Sequence, residues 1–542
     1  MQKNMQSNDS VYLRKPWLAN YPKGVGHQID VPNFTIFDLL ERSVQKYPTN
    51  IAVMDGDREM TYSNLMNACE SISTALFKQG FRKGDRIALM MPNCLEYVIS
   101  FFSIQRIGGV VVQVNPNFQP SELENLLRNS EAFGLVAFRE QKEKIEKIGL
   151  GNQIKFITAD EDIKEELNIH YWITNERNIF KFDHIQPDDL AVLSYTGGTT
   201  GFPKGVMISH SNMVANIFQA YETNKSILQE EGHCQLGIAP VYHGMGLFSL
   251  VQAMMIGGTF VTIERFDLKN LLLLIRKHRP TMFTGSPTMY IALLNHKERT
   301  KEDLMGFKLC HCGSAPLPVE VFENFEQESG VSITEGYGLS EATCGVIRNP
   351  INGKRKVGSI GLPMPNTEVK IVDSSTGKIE MPLGEQGEII VKGPQVMKGY
   401  WKNQEETENV IRDGWLYTGD IGTMDSEGYF YIVGRKKEMI ISGGFNVYPV
   451  EIEEVLYKHP AVQEACVFGV PDSYRGETIK AVITLKKDTT LTAEEVQTWC
   501  REHLTRYKVP RVIKFRDTLP KTTVGKILRR QLKEEELNEV DL

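Results

Sequence analysis

Up to about residue 435, short apolar runs alternate with stretches in which apolar side chains recur at helical spacing. Residues 86–91 and 109–114 are almost continuously apolar, which is typical of strands buried on both faces. Leu123, Leu126 and Leu127 follow with the spacing of one helix face. Because strands that alternate with helices pair through crossovers, this pattern predicts an α/β region with largely parallel sheets.

The pattern changes twice towards the C-terminal end. Between residues 357 and 392, short strand-like runs separated by glycine and proline predict an antiparallel or barrel-like region. After Gly434, the sequence predicts a small α+β domain. Its predicted helices and strands lie at residues 451–457, 465–470, 480–485 and 492–504.

The composition is that of an ordinary soluble protein. The chain has 542 residues, enough for two to four domains, of which 41% are hydrophobic and 24% charged. The net charge of −7 gives no overall basic field, so we expect no nucleic-acid partner. Residues 501–530 hold ten basic and two acidic side chains, but aromatic residues are sparse there, and phosphates of small ligands explain the charge better. The eight scattered cysteines suit a reducing cytoplasm rather than a disulfide framework.

Two local features could be misread. Residues 245–263 carry no charge over nineteen positions, close to the length of a membrane span. A Gly-Gly pair interrupts them, so we expect a buried helix, a turn and a strand. Cys310, His311 and Cys312 stand too close together for the usual zinc pairs, so we expect a buried strand end. We also expect no signal peptide, because no apolar segment lies among the charged residues at the N-terminus.

Residues 194–205, Ser-Tyr-Thr-Gly-Gly-Thr-Thr-Gly-Phe-Pro-Lys-Gly, hold four glycines, four Ser or Thr hydroxyls and one lysine. Glycines let backbone N–H groups turn towards an anion, and the hydroxyls and the lysine add donors and charge. The spacing is not that of a Walker A loop. Apolar strand-like runs at 190–193 and 206–208 flank the segment, which favours a triphosphate-binding loop over a flexible Gly/Thr hairpin.

This segment resembles the signature of the adenylate-forming superfamily, which contains acyl-CoA synthetases, amino-acid adenylation domains and firefly-type luciferases. Four further segments resemble that family's adenine and magnesium motif, ribose motif, hinge motif and catalytic-lysine motif, in the family's order. They are Glu-Gly-Tyr-Gly-Leu-Ser-Glu-Ala at 335–342, Tyr-Thr-Gly-Asp at 417–420, Gly-Arg-Lys-Lys-Glu-Met-Ile at 434–440, and Pro-Lys-Thr-Thr-Val-Gly-Lys at 520–526. The sequences of several of these motifs are most similar to those of bacterial long-chain fatty-acid–CoA ligases. The same holds for the N-terminal segment Lys-Pro-Trp-Leu-Ala-Asn-Tyr-Pro at 15–22.

The resemblance implies a fold and a division into domains. The N-terminal AMP-binding domain would span residues 1–436, with two α/β sheet subdomains and a β-barrel-like subdomain. A small mobile α+β lid would span residues 437–542, with its hinge near Lys437 and the active site between the two domains.

The activity implied is that of an ATP-dependent ligase that joins a fatty acid, expected to be long-chain, to coenzyme A. The acid would first form acyl-AMP with release of pyrophosphate, and the thiol of CoA would then displace AMP. ATP, Mg²⁺ and CoA are therefore the expected ligands beside the fatty acid. The residues that the resemblance assigns to the nucleotide are Thr196, Gly197, Gly198, Thr199, Thr200, Gly201 and Lys204 for the phosphates, Gly313, Ser314, Ala315, Glu335, Gly336, Tyr337, Gly338 and Ser340 for the adenine pocket, and Asp420 and Arg435 for the ribose.

Other residues receive catalytic or substrate roles from the same resemblance. Lys526 would carry the adenylation step, and Thr199 and Glu341 would reach Mg²⁺, an ion that prefers hard oxygen ligands. The expected contacts of the acid and of CoA are His243 as a gate, Gly285 in the wall of the acyl tunnel, and Gly444 beside the pantetheine.

Several other functions were weighed against this one. A CoA ligase for a medium-chain or aryl acid is the main alternative. Amino-acid adenylation modules carry an Asp just after the region that corresponds to Pro240, where it binds the amino group of the substrate. Residues 242–248 contain no acid, which disfavours such a module. A luciferase-like oxygenase is disfavoured because the last three residues, Val540-Asp541-Leu542, are not a peroxisomal signal. A non-catalytic homologue would lack one of Lys526, Glu341 and Asp420, and all three are present.

Two departures from the family pattern bear on the substrate. Position 197 is Gly where many relatives have Ser, which removes one phosphate donor. Thr343-Cys344-Gly345 replaces the Ser-Pro of many fatty-acid ligases at the border of the acyl pocket, so the preferred chain length stays undetermined. We expect a cytoplasmic enzyme, and the sequence leaves open a homodimer and peripheral contact with the inner face of the membrane.

Overall fold

The computed structural model describes most of the chain. The described residues are 10–162, 166–176, 180, 182–196, 203–229, 231–264, 267–314, 317–442, 445–472, 475–522 and 525–538.

The first part of the chain builds a six-stranded sheet in the order β6-β5-β3-β4-β7-β8. Its first five strands are parallel and β8 is antiparallel. Strands β3 and β4 are the apolar runs predicted at residues 86–91 and 109–114, and helices cover both faces because such strands have no polar side. The elements are α1 Ile36–Lys46, β1 Ile51–Asp55, β2 Arg58–Thr61, α2 Tyr62–Lys78, β3 Arg86–Met90, α3 Leu95–Arg106, β4 Val110–Gln113, α4 Pro120–Ser130, β5 Gly134–Ala137, α5 Lys142–Lys147, β6 Lys155–Thr158, α6 Ile169–Asn175, β7 Leu190–Thr196 and β8 Lys204–Ser209.

The next part completes a nine-stranded sheet that also takes in β1 and β2, in the order β2-β1-β10-β9-β11-β12-β13-β14-β15. The six strands from β1 to β13 in that order are parallel, and β2, β14 and β15 pair antiparallel with their neighbours. The elements are α7 His210–Leu228, β9 Cys234–Gly237, α8 Gly244–Met255, β10 Thr259–Thr262, α9 Leu268–His278, β11 Met282–Gly285, α10 Pro287–Leu294, β12 Leu309–Cys312, α11 Val319–Ser329, β13 Ile333–Tyr337, β14 Ile347–Arg348 and β15 Leu362–Pro363.

A third, wholly antiparallel sheet completes the large N-terminal domain in the region predicted to be antiparallel or barrel-like. Its order is β16-β17-β19-β18, and β20 also pairs with β19. The ring of Trp17 from the N-terminal segment lies 6.0 Å from that of Phe430 and is buried against this sheet. The elements are β16 Glu368–Val372, β17 Gly387–Lys392, α12 Gln404–Val410, β18 Ile411–Arg412, β19 Trp415–Met424 and β20 Phe430–Arg435.

The smaller C-terminal domain has a five-stranded sheet in the order β22-β21-β24-β23, with β25 parallel to β24. The long hairpin of β23 and β24 forms its centre, and its own apolar core lies under α13 and α14. The elements are β21 Ile440–Ser442, β22 Phe445–Val447, α13 Pro449–Tyr457, β23 Val462–Asp472, β24 Gly476–Leu485, α14 Ala493–His503, β25 Val512–Phe515 and α15 Arg529–Asn538.

The fold confirms the predicted class and both local predictions. Residues 245–263 form most of α8, a turn at Gly257 with φ +69°, and β10, and among the described residues no helix combines the length and apolar character of a membrane span. Cys310, His311 and Cys312 lie on the fully buried strand β12. The segment that joins the two domains is a short 3-10 helix, Lys436–Glu438.

Candidate active site

The predicted site residues of the nine-stranded sheet gather at the carboxyl ends of its parallel strands, where open α/β sheets bind ligands. Gly285 ends β11, and its carbonyl accepts the N–H of Gly313, which follows β12, at 3.2 Å. Glu335 on β13 accepts the backbone N–H of Leu317 at 3.0 Å. Burial raises the pKa of Glu335 to about 7. Glu335 thus holds the loop that follows β12 in place.

Glycine is required at Gly338 for steric reasons. A Cβ at this position would lie 1.5 Å from the carbonyl oxygen of Cys344. At Gly336 and Gly313, by contrast, the nearest atoms to an added Cβ are the Ile347 oxygen at 3.2 Å and the Gly336 oxygen at 3.7 Å. A side chain would therefore be crowded at Gly336 and in ordinary van der Waals contact at Gly313.

The predicted adenine and ribose motifs meet through side chains. The hydroxyl of Tyr337 donates to Asp420 Oδ2 at 2.6 Å, and Arg435 Nε lies 2.9 Å from Asp420 Oδ1. Asp420 and Arg435 are cross-strand partners on β19 and β20, which fixes the ion pair. Burial raises the pKa of Asp420, and the Asp420 charge raises the pKa of Arg435. A buried carboxylate with two partners can still accept ribose hydroxyls.

Glu341, the predicted metal ligand, lies on the 3-10 helix Ser340–Ala342. Tyr400 donates its hydroxyl to Glu341 Oε1 at 2.8 Å, and the Glu341 carbonyl accepts the N–H of Met397 at 2.9 Å. Among the described residues, Oε2 of Glu341 has no hydrogen-bond donor. The carboxylate is thus oriented by Tyr400 and keeps one hard oxygen for a cation, which fits Mg²⁺.

Lys204 and Thr196 are partners at the end of the β7–β8 hairpin. Lys204 forms an ion pair with Glu406, and its Nζ lies 5.0 Å from the ring centre of Tyr400. The tyrosine that contacts Lys204 therefore also orients Glu341, so the phosphate and metal motifs adjoin. The remaining loop residues, Gly197, Gly198, Thr199, Thr200 and Gly201, lie outside the described part.

A strained turn follows the metal motif. Thr343 has φ +65° and ψ −62°, and the next N–H bonds the preceding carbonyl at 2.7 Å, which is a γ-turn of the rare positive-φ type. The Thr343 hydroxyl donates to the Gln395 carbonyl at 2.8 Å. Asn216 on α7 bonds both the N–H and the carbonyl of Gly345, at 2.9 and 2.8 Å. These hydrogen bonds hold the backbone in its strained conformation, which would otherwise relax.

His243 lies beside this turn. It is the N-cap residue of α8, and a Cβ at the next residue, Gly244, would lie 3.2 Å from the Thr343 carbonyl oxygen. Burial lowers the pKa of His243 to about 4, so its imidazole is neutral at neutral pH. The location suits a residue between an acyl pocket and a channel, while the gating role stays a prediction.

The C-terminal domain delivers Lys526 to the same place. Gly525, with φ +80°, approaches the start of α10 so closely that a Cβ would lie 2.2 Å from Thr288 Oγ1. Burial lowers the pKa of Lys526, and the positive charge of Arg435 lowers it further. The negative charge of Asp420 acts in the opposite direction and raises that pKa. Among the described residues, the ammonium has no hydrogen-bond acceptor or ion-pair partner, so its charge is available to a ligand.

Lys437 is exposed in the segment that joins the domains. On either side of it, Lys436 pairs with Glu388 at 3.1 Å, and Glu438 pairs with Arg529 of the C-terminal domain. Lys437 is thus positioned as a pivot between anchored neighbours, and its hinge role stays a prediction. Ser314 follows β12 with φ +72°, whereas Ala315 and Gly444 lie outside the described part.

Three residues that organise the site were not predicted from the sequence. Tyr400 contacts Glu341, Glu406 pairs with Lys204, and Asn216 holds Gly345. None of the three lies in a segment whose residues form a recognisable ligand-binding motif. Their roles depend on contacts across 59, 202 and 129 positions of sequence, respectively. A local pattern of residue types cannot predict contacts between residues so far apart in the sequence.

Known proteins share both the sequence and the fold of this chain. Residues 40–401 match the model of the AMP-binding enzyme family, and residues 451–526 that of the AMP-binding enzyme C-terminal domain. A long-chain-fatty-acid–CoA ligase of Bacillus subtilis is 43% identical over 96% of this chain and 98% of that ligase.

Two solved structures agree with this relationship. The anthranilate CoA ligase AuaEII in complex with anthranoyl-AMP has a TM-score of 0.87 at 30% identity, over 95% of this chain and 99% of that one. The o-succinylbenzoate CoA synthetase MenE of Bacillus subtilis, in complex with ATP and magnesium, has a TM-score of 0.80 at 30% identity, over 91% and 99%. With the strand-end site described above, these matches establish that the chain belongs to the AMP-binding enzyme family.

Proposed function

We propose that this protein is a long-chain fatty-acid–CoA ligase that forms AMP. The observation that carries the proposal is the approach of Lys526 from the small domain to Asp420 and Arg435 of the large one. A cation beside the residues assigned to the nucleotide can stabilise the negative charge that gathers when a carboxylate is activated. The Bacillus subtilis relative, similar over nearly its whole length, supports the long-chain acid as substrate.

In the first half-reaction, a carboxylate oxygen attacks the α-phosphorus of ATP, and the bond to the β-phosphate breaks. The products are acyl-AMP and pyrophosphate. Negative charge gathers between two anions, so fixed cations in a water-poor cleft lower the barrier. Lys526 would lie between carboxylate and α-phosphate, and Lys204 would hold the departing phosphates once it leaves Glu406.

The residues of the metal motif fit a bound Mg²⁺. Glu341, oriented by Tyr400, would hold the ion together with Thr199 and the phosphates of ATP. When bound, the ion supplies Lewis-acid neutralisation of phosphate charge. A solved relative in complex with ATP and a magnesium ion supports the use of both by this protein.

In the second half-reaction, the thiol sulfur of CoA attacks the acyl carbon, and AMP leaves. Lys526 has no part in that step. We propose that residues 437–542 move as a lid about Lys437, so that Lys526 withdraws and the segment with Gly444 admits the pantetheine. The boundary at 436 and 437 coincides with the 3-10 helix between β20 and β21.

An aryl acid is the second candidate substrate. AuaEII, a structural relative, binds anthranoyl-AMP, and a feruloyl-CoA synthase of Amycolatopsis is 34% identical over 91% of this chain and 97% of that enzyme. The strained turn at Thr343 and the position of His243 would shape the pocket for either class of acid. A substrate panel separates them.

The test is a CoA-consumption assay with purified protein, ATP and Mg²⁺ over aliphatic and aryl carboxylates. Long-chain fatty acids should give the highest kcat/KM, with AMP and pyrophosphate as products. Release of ADP and phosphate would refute the adenylate mechanism. Preference for an aryl or a short acid over every long-chain acid would refute the substrate class alone.

A further inference from the structure

One arginine of the small domain joins the hinge segment to the helix that follows Lys526. Arg529 is the first residue of α15, three positions after Lys526. Its Nη1 forms an ion pair with Glu438, and its Nη2 lies 2.7 and 2.9 Å from the two carboxylate oxygens of Glu453. Glu438 ends the 3-10 helix Lys436–Glu438, and Glu453 lies on α13. We name Glu438, Glu453 and Arg529 the arginine clamp.

The clamp fixes Arg529 to the body of the small domain. The contact with Glu453 joins both carboxylate oxygens, and Glu453 Oε1 also accepts the N–H of Val467 on β23 at 2.7 Å. Burial disfavours the charged guanidinium, but the charges of Glu453 and then of Glu438 outweigh that effect and raise the pKa of Arg529. Arg529 therefore stays charged, and Glu453 holds it in place while Nη1 binds Glu438.

The charge of Glu438 also reaches Lys526. Burial and the charge of Arg435 lower the pKa of Lys526, whereas the charge of Glu438 raises it. Glu438 acts in the same way on the pKa values of Asp420 and Arg435, the ion pair that Lys526 approaches. Glu438 is therefore an acid close to the ammonium that would act on the substrates.

Lys526 is the cation that a released Glu438 would meet without competition. Arg435 and Lys436 each pair with a carboxylate of the large domain, at 2.9 and 3.1 Å. Lys526 has no such partner in the part of the chain that the structure describes. A partly buried carboxylate that has lost its cation is destabilised, and a nearby cation without a partner relieves that cost. In the absence of Arg529, Glu438 would therefore pair with Lys526.

Lys526 and the clamp belong to one unit of the small domain. The loop that carries Lys526 is closed by two hydrogen bonds of 2.8 Å, from the Thr522 N–H to the Lys526 carbonyl and from the Leu528 N–H to the Pro520 carbonyl. Arg529 follows this loop directly. All members of the clamp also follow the predicted pivot at Lys437, so a movement of the lid would carry them together with Lys526.

We propose that Arg529 is a positioning residue that holds Glu438 away from Lys526, so that the ammonium stays available to the substrate carboxylate and the α-phosphate. This inference rests on the proposed acyl-CoA ligase function, in which Lys526 carries adenylation. When Arg529 is removed, Glu438 pairs with Lys526, and the substrates must compete with that pair. Adenylation then slows, whereas acyl transfer to CoA continues because it does not use Lys526.

The experiment measures both half-reactions in variants of the whole protein. Arg529→Met keeps much of the apolar length of the side chain and removes its charge. It should lower the kcat of adenylation by about 10–100-fold, less than the loss of a preorganised charge, because the substrates still compete for Lys526. The KM for ATP should change little, and so should the rate at which pre-made acyl-AMP reacts with CoA.

Two double variants separate this role from a purely structural one. Arg529→Met leaves two carboxylates without their cation, so its Tm should fall. Adding Glu438→Gln should restore adenylation to within a few-fold of the wild type, because the competing charge is gone. Adding Glu453→Gln instead should restore part of the Tm but not adenylation. Arg530→Met is the matched control, since this exposed arginine pairs with Glu534 at 2.8 Å, and it should match the wild type.

A second readout does not depend on catalysis. Competitive labelling of lysines with acetic anhydride over a range of pH, followed by mass spectrometry, gives the pKa of Lys526. Pairing with a carboxylate favours the charged form, so this pKa should rise in Arg529→Met. It should fall back when Glu438→Gln is added and stay raised when Glu453→Gln is added.

Three results would overturn the inference. They are unchanged adenylation in Arg529→Met, an equal loss in both half-reactions, and a restoration of adenylation by Glu453→Gln that equals or exceeds that by Glu438→Gln. If the wild type forms acyl-AMP from no acid, the proposed function fails instead. The labelling of Lys526 then decides, since a pKa that Arg529→Met leaves unchanged, or that Glu438→Gln does not lower again, would contradict the role of Arg529.

Discussion

Replacement of Lys526 by alanine tests how the two domains share the chemistry. The lysine enters the site on a loop whose Gly525 lies against Thr288, and its charge acts on Asp420 and Arg435. Because no described residue forms a hydrogen bond or an ion pair with the Lys526 ammonium, the ammonium can act on the bound substrates. We expect Lys526→Ala to slow acyl-AMP formation and to spare the transfer of the acyl group to CoA.

The size of the effect follows from Coulomb's law. Two unit charges about 4 Å apart interact with about 1 kcal/mol in water and about 4 kcal/mol at an effective dielectric constant of about 20. These energies correspond to rate factors of about 6 and about 10³. The Lys526 side chain is exposed. A bound nucleotide and acyl chain would exclude water around it, so the larger value applies, and mutation of preorganised donors gives a loss in rate of about 10²–10³-fold. We expect a loss of about 10²–10³-fold in adenylation.

The assay measures both half-reactions separately. Pyrophosphate release reports adenylation, and pre-made acyl-AMP mixed with CoA reports thioester formation. Lys521→Ala is the matched control, because Lys521 lies on the same segment but pairs with Glu464 at 2.6 Å. An equal loss in both half-reactions, or an equal loss in Lys521→Ala, would refute the assignment of Lys526.

Four further substitutions test other parts of the site. Lys437→Pro should keep adenylation and lose thioester formation, because proline restricts φ at the pivot; normal thioester formation would contradict the hinge. Glu341→Ala should reduce adenylation by several orders of magnitude and shift its Mg²⁺ dependence, measured by titration with the ion; an unchanged dependence would exclude a metal ligand. Glu406→Gln should lower the KM for ATP, since it frees Lys204 from an ion pair that competes with the phosphates; a raised KM would show that the pair supports binding. Glu335→Gln should gain stability over the wild type as pH rises from about 4.5 to about 7, by up to about 3 kcal/mol, because a carboxyl with a raised folded pKa loses stability over that range. Thermal melts at about pH 5 and about pH 8 measure that difference, and a constant offset would contradict it.

The candidate site could be predicted where one short segment carries the chemistry. The motifs with Gly336, Asp420 and Lys526 were assigned from resemblance alone, and the structure brings them into one cleft. Their individual roles stay predictions until the half-reactions are measured.

The sequence by itself determined the class of fold and the order of its elements. Periodicity is a local property, and therefore α14 at Ala493–His503 matches the helix predicted at residues 492–504 to within one residue at each end. The apolar runs predicted as parallel strands do pair in parallel, because only helices on both faces can bury them.

Only the tertiary structure decided which side chains meet. The Tyr337 hydroxyl reaches Asp420 across 83 positions, and Tyr400 reaches Glu341 across 59. Such contacts arise from the packing of whole sheets and domains, whose free energy is spread over many residues, so no short segment of sequence encodes them.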